Sequence, residues 1–389
     1  MRSIMKKATT GAGLVAAALG ALALAASLSA CNNEYPIYGS IQQEQPGSTL
    51  GPFYRTTVGK VLAFGGKYYA QRATIASSSD GSTWSTDSIA DLGTGYSCTG
   101  LAQTSTALWA VIDGKGLYTS GDGTNWTPAI TDPASNQTSS AMIDNVFIAN
   151  DVVFVEAHNE NGTTTDSTDD SYSLATVSGS TSTPITLTGL AGTTPITGVA
   201  WDGTDYWVIT TAGIYFSSNT TTFAVDASAP TGKLDSILAS AATPGTIYVG
   251  TDSGYVYMHT GSSWTASAAQ TYSISALVEV HTSSATFLLV GLGANSSTVS
   301  STSVAYGYVQ LDPATLTTTT TSGESSAVVS NATNYDTTLS GKPVMSFLYD
   351  STAQKLFAAT ASSGITGASG LWITTLTGTS TWSGWSPIN

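Results

Sequence analysis

Charge is the scarcest property of this 389-residue chain: Asp, Glu, Lys and Arg together make up 9% of it, against about 25% in an ordinary soluble domain. Basic residues are scarcer still. Eleven Lys and Arg face 25 Asp and Glu, for a net charge of -14. Setting aside Arg2, Lys6 and Lys7 near the N-terminus leaves eight basic against 25 acidic residues, a net of -17. Such a surface repels a phosphate backbone and excludes nucleic acid as a partner. Two cysteines, Cys31 and Cys98, exclude a disulfide scaffold. Past the first 26 residues no apolar run reaches the roughly 18 residues of a membrane helix, and no stretch keeps a helical apolar period. Phosphate-binding Gly loops, nucleophile elbows and Walker-like motifs are absent. The three histidines, His158, His259 and His281, lack metal-ligand spacing and are expected at the surface or at strand edges.

What fills the space is Ser, Thr, Gly and Ala, with 41% apolar residues, enough for a substantial core. That mixture favours strands and tight turns. One turn recurs. Ser78-Ser79-Asp80-Gly81-Ser82-Thr83-Trp84 returns as Ser120-Gly121-Asp122-Gly123-Thr124-Asn125-Trp126. A weaker copy begins at Ser217 and ends at Phe223, and a shortened one runs from His259 to Trp264. Aligning on the turn aligns the apolar runs before it. They fall at 61–64, 68–70 and 74–77; 101–103, 108–112 and 116–119; 142–148, 152–156 and 172–177; 196–201, 206–210 and 213–217; 234–238, 247–251 and 255–258; 274–280, 287–291 and 307–311; 344–348, 355–360 and 370–374. Trp84 to Trp126 spans 42 residues and Phe223 to Trp264 spans 41, matching the ~40–45 residues of a four-stranded propeller blade. Such a unit cannot bury both faces alone, whereas a closed ring of them can. The expected fold is all-β: a β-propeller of about seven four-stranded antiparallel blades.

The N-terminus reads as an address. Basic residues come first, an apolar run follows to about Ala26, and Leu28-Ser29-Ala30-Cys31 closes it. This ending resembles the lipobox of bacterial lipoproteins. The resemblance implies that Cys31 is lipidated on its thiol, that residues 1–30 are removed as a signal peptide, and that the new amino group is acylated. Two or more acyl chains anchor a protein stably to a membrane. Asn32 rather than Asp after Cys31 favours the outer membrane or cell surface over retention at the inner membrane. Residues 31–57, with Pro36, Pro46, Gly47 and Pro52, read as a tether, and residues 58–389 as the propeller.

The repeated turn resembles the Asp-box, or BNR repeat, of sialidases and many other propellers, shortened by one residue between Asp and Trp. Asp80 and Asp122 suit a tight turn through hydrogen bonds to backbone groups two residues on; Gly81 and Gly123 accept positive φ; Trp84 and Trp126 pack back over the blade. The role expected for all six is structural. A sialidase holds its substrate carboxylate with three arginines, and past the leader only Arg55 and Arg72 remain, so that activity is excluded by count.

No catalytic residue stands out. The densest polar cluster is Glu156, His158, Glu160, Asp166, Asp169 and Asp170, expected in the loop between the second and third strands of the third unit. Solvated polar loops have this composition, and oxygen-rich loops also suit Ca²⁺; no other cofactor is expected. That loop, the loop of the sixth unit with Asn295 and the loop of the seventh with Ser362 would share one rim, and long loops gathered on one rim serve recognition. Cys98 reads as a small buried apolar residue. The expected function is therefore a monomeric, lipid-anchored module of the bacterial envelope that binds or scaffolds a protein or a glycan. The alternative is a glycan-active hydrolase or glycan-binding envelope protein, because a hydrolase needs little more than a carboxylate pair.

Overall fold

The computed structural model describes residue 53 and residues 56–388, apart from 90–91, 133–141, 161–169, 271, 284, 294–306, 319–338, 340–341, 362–369 and 378–380. It is all-β: seven small antiparallel sheets follow one another along the chain, and they form a seven-bladed β-propeller. The first strands are Lys60–Phe64, Cys98–Gln103, Met142–Ala149, Ile196–Trp201, Leu234–Ala239, Ile274–His281 and Val344–Asp350. Each packs beside the first strand of the next blade, and the last packs beside that of blade 1, so the ring closes on itself. Blades 1, 2, 3 and 5 have four strands. Blade 4 gains a short strand, Thr186–Leu187, running parallel to its outermost one. Blade 7 gains Ser386–Pro387. Blade 6 departs from the expected four, with three strands among the described residues.

The core lies between blades rather than within them. Seven buried clusters correspond to the seven seams; one joins Trp207, Ile209 and Ile214 of blade 4 to Leu234, Ile247 and Val249 of blade 5. Around one rim, hydrogen bonds bridge every seam. Gln71 Nε2 donates to Thr99 O at 2.7 Å, and Ile143 N to Asp132 Oδ1 at 3.1 Å. Ile196 N donates to Glu156 Oε1 at 2.8 Å, and Thr197 Oγ1 to Leu234 O at 2.8 Å. Ser236 Oγ donates to Ile274 O, Ser275 Oγ to Val344 O, and Val58 N to Thr360 O. Two of the hydroxyl donors, Thr197 and Ser275, sit where the first strand carries an extra residue relative to its neighbour. A bulge re-aims a side chain in this way, here toward the next blade.

The turns explain the composition. In blade 1, Asp80 Oδ1 accepts from Ser82 N at 2.7 Å and Thr83 N at 2.8 Å, while Ser78 Oγ accepts from Gly81 N at 2.8 Å. In blade 2, Asp122 Oδ1 accepts from Thr124 N and Asn125 N, and Ser120 Oγ from Gly123 N. Asn219 repeats the arrangement in blade 4 with Thr221 N and Thr222 N. Trp84 is buried, and its Nε1 donates to Gly81 O at 3.1 Å; Trp126 is 4% exposed. The shortened copy at His259–Trp264 differs: Thr260 pairs directly with Ser263, leaving a two-residue hairpin turn in which Gly261 has a φ of 68°.

Candidate binding cleft

Of the cluster expected in the loop of blade 3, part belongs to a strand. The second strand runs Val152–Asn159, so Glu156 and His158 lie on it. Glu156 is 6% exposed, and the bond to Ile196 N commits it to the seam with blade 4. Burial pushes its pKa up to about 7, although that hydrogen bond opposes the shift. His158 places Nδ1 3.1 Å from Asp144 Oδ2 and Nε2 3.3 Å from Asp170 Oδ2, and its ring stacks on Tyr172. Glu160 follows the strand directly. His158, Asp144 and Asp170 partner one another, and among the described residues no group of three or more His, Cys, Asp or Glu is arranged to hold a metal ion. Cys31, Asp166, Asp169, Asn295 and Ser362 lie outside the described residues. Cys98 is 5% exposed, with its thiol pushed up to about 12 by burial.

A cleft of about 490 Å³ opens elsewhere, in the seam between blades 4 and 5. It runs from the turn at Asp202–Asp205, between the first two strands of blade 4, to Asp226 beyond the last, and the hairpin turn at 260–262 borders it. Three rings line it, Phe216, Trp207 and His259, and a fourth, Trp264, packs on His259. Phe216, 37% exposed, stacks on Trp207 at 5.4 Å between centroids; Trp207 meets His259 at 4.8 Å, and His259 meets Trp264 at 4.9 Å. Strand pairing places them together, since Trp207 lies opposite Phe216 and His259 opposite Trp264. Each indole N–H is spent on a carboxylate: Trp207 Nε1 donates to Asp202 Oδ2 at 2.7 Å and Trp264 Nε1 to Asp226 Oδ2 at 2.9 Å.

His259 was expected at the surface or an edge; it is 7% exposed, because the two indoles enclose its ring. Burial lowers its pKa, with Asp226 and Asp202 opposing the shift, and its Nδ1 has no hydrogen-bond partner. Asp205 is raised by burial and then by the neighbouring Asp202 charge. For Asp226, burial acts upward, but hydrogen bonds from Ser228 and Trp264 outweigh it and leave the group lowered. The cleft was not anticipated. Its residues appear in the sequence as turns and strand ends, and the one available signal was Phe216, an aromatic at an alternating position that a half-buried strand turns outward.

No family model matches the chain, and no curated protein matches it. Solved propellers do. The extracellular domain of the putative hybrid two-component system BT4673 from B. thetaiotaomicron matches at 14% identity and a TM-score of 0.53, over 83% of this chain and 38% of that one. The chain thus spans less than two-fifths of that structure. YCF48 bound to D1 peptide matches at 11% identity and a TM-score of 0.53, over 86% of this chain and 97% of that one. YCF48 from Cyanidioschyzon merolae matches at 12% identity and a TM-score of 0.51. At these identities the likeness concerns the fold.

Proposed function

We propose that this protein is a lipid-anchored envelope β-propeller whose task is to bind a protein partner, with the blade 4–5 cleft as its binding site. The cleft carries the reading: it is the concave surface where an exposed aromatic, Phe216, meets carboxylates and an enclosed imidazole, the mix of apolar wall and few polar groups typical of binding sites. Asp202 and Asp226 are held by indole and backbone N–H groups and by the Ser228 hydroxyl. A propeller of similar fold and nearly equal length was solved with a peptide bound, which supports a protein partner. Another forms an extracellular domain, in keeping with an outward-facing position. The repeated Asp-Gly turns serve here as Asp-box-like clasps. The Leu-Ser-Ala-Cys31 ending supports the anchor.

Two experiments test this. Growth with an alkyne fatty acid should label the wild type and leave Cys31→Ser unlabelled; a labelled Cys31→Ser rejects the anchor. Crosslinking in intact cells should recover a partner with the wild type and lose it with Phe216→Ala; undiminished recovery rejects the cleft. A glycan ligand is the second reading, favoured by the exposed Phe216 ring, and a polysaccharide-binding panel distinguishes it.

A further inference from the structure

We propose that the blade 4–5 cleft receives a cationic side chain, a guanidinium or an ammonium, presented by the partner peptide. This rests on reading the cleft as the binding site. Asp202, Asp205 and Asp226 line it, and no Lys or Arg does. Asp205 makes no side-chain hydrogen bond to a described residue and lies beside Asp202, whose two oxygens are taken up by Trp207, Thr204 N and Asp205 N. A cation placed there would relieve two neighbouring negative charges at once.

The rings point the same way. Both indole N–H groups are used internally, so Trp207 and Trp264 have no donor left for an anion or a carbonyl. Phe216 offers its face, and aromatic faces attract guanidinium and ammonium groups. His259 is the independent sign. It lines the cleft, it is more than nine-tenths buried, and its Nδ1 is without a partner. Burial disfavours its charged form, so the imidazole adds no positive charge against the ligand. The lining also holds the hydroxyls of Thr204, Ser228, Thr260 and Ser262, but its charged groups are all carboxylates, which favours a cation over a neutral saccharide. A chain carrying a net charge of -14 would also draw a basic partner toward it.

The test uses the purified full-length chain and capped tripeptides Gly-X-Gly, with X arginine, lysine or citrulline, and cellobiose as a neutral saccharide, read by calorimetric titration. Citrulline keeps the shape of arginine and removes its charge. The arginine or the lysine peptide should bind, the citrulline peptide about tenfold more weakly or worse, as expected for loss of one charge-assisted hydrogen bond. Binding should weaken as salt is raised. Asp205→Asn, which removes charge without removing a hydrogen bond seen in the structure, should weaken cationic binding by a similar factor, and Phe216→Ala should weaken it as well. Equal affinity for arginine and citrulline, no effect of Asp205→Asn, or no binding by either cationic peptide overturns the proposal. Binding of citrulline peptide or cellobiose alone, sensitive to Phe216→Ala, would overturn it while leaving the cleft as a binding site. No binding by any probe, with partner recovery independent of Phe216, would remove both.

Discussion

At the residue scale, a short side chain in this protein closes a turn and so replaces charged surface. Asp202, Asp312 and Asp350 use one oxygen to accept from the N–H groups two and three residues on, as Asp80, Asp122 and Asn219 do. Thr104 and Thr282 each accept one such N–H with a hydroxyl, from Ala107 and Ala285. Gly in the repeated turn has a second duty besides positive φ. A Cβ on Gly123 (φ 72°) would stand 1.8 Å from the Tyr69 hydroxyl of blade 1, and one on Gly81 would stand 2.7 Å from Phe357 of blade 7. The turn glycine is where one blade rests on the preceding one. Gly123→Ala should therefore destabilise by about 1–3 kcal/mol, while Gly121→Ala, two residues away with no atom within 4 Å, should be nearly neutral. Denaturant unfolding of the two variants checks this; equal losses would show that the turn does not need the close approach. Such contacts lie beyond sequence reasoning, which reaches the φ requirement through Asp-Gly but has no access to the aromatic supplied by the previous blade.

At the scale of elements, the seams between blades carry ionisable groups in place of some hydroxyl bridges. Glu156 caps the start of the blade 4 strand at Ile196. Its folded pKa of about 7 lies above its ordinary 4.5, so the folded state holds its proton more tightly than the unfolded one. Stability from this group is complete below about pH 4.5 and is lost as pH rises through about 7, amounting to about 3 kcal/mol if the full shift is realised. Glu156→Gln keeps the acceptor oxygen and should match the wild type at pH 5 and exceed it at pH 8. Parallel stabilities of the two proteins across that range would reject the linkage. Asp80 behaves oppositely: hydrogen bonds from Thr83 N and Ser82 N hold it near 2, and its contribution disappears only in strong acid.

The strands themselves were legible, because alternating apolar runs between Asp-Gly turns have few other outcomes. The extra residues at Thr99, Thr197, Asp235, Ser275 and Met345 were not. A bulge leaves the alternation intact on either side and reveals itself only through the partner strand. The cleft was hidden for a related reason: Asp202, Phe216, Asp226 and His259 are scattered over 58 residues, and only the packing of blade 4 on blade 5 assembles them.

At the scale of the whole molecule, a propeller whose core lies in its seams depends on the seam where the ring closes. Here the closing partner of blade 7 is the segment before the first strand. Gly370 N donates to Phe53 O at 2.8 Å and Val58 N to Thr360 O at 3.0 Å. Phe53, fully buried, meets Trp84 edge-on at 5.2 Å and joins Val58, Phe357, Leu371 and Ile388 in one cluster. The repeated turn of blade 1 thus holds the chain's entry to the ring through Trp84. Phe53→Ala should cost about 3–5 kcal/mol, the usual range for emptying a buried aromatic site, while Phe216→Ala on the exposed wall of the cleft should cost far less. Because each blade shares its buried surface with both neighbours, the lost seam should lower the stability of the whole ring, with tryptophan fluorescence and circular dichroism shifting together in one transition. If Phe53→Ala proves no worse than Phe216→Ala, or if one probe moves without the other, closure does not run through this segment and the blades separate in stability.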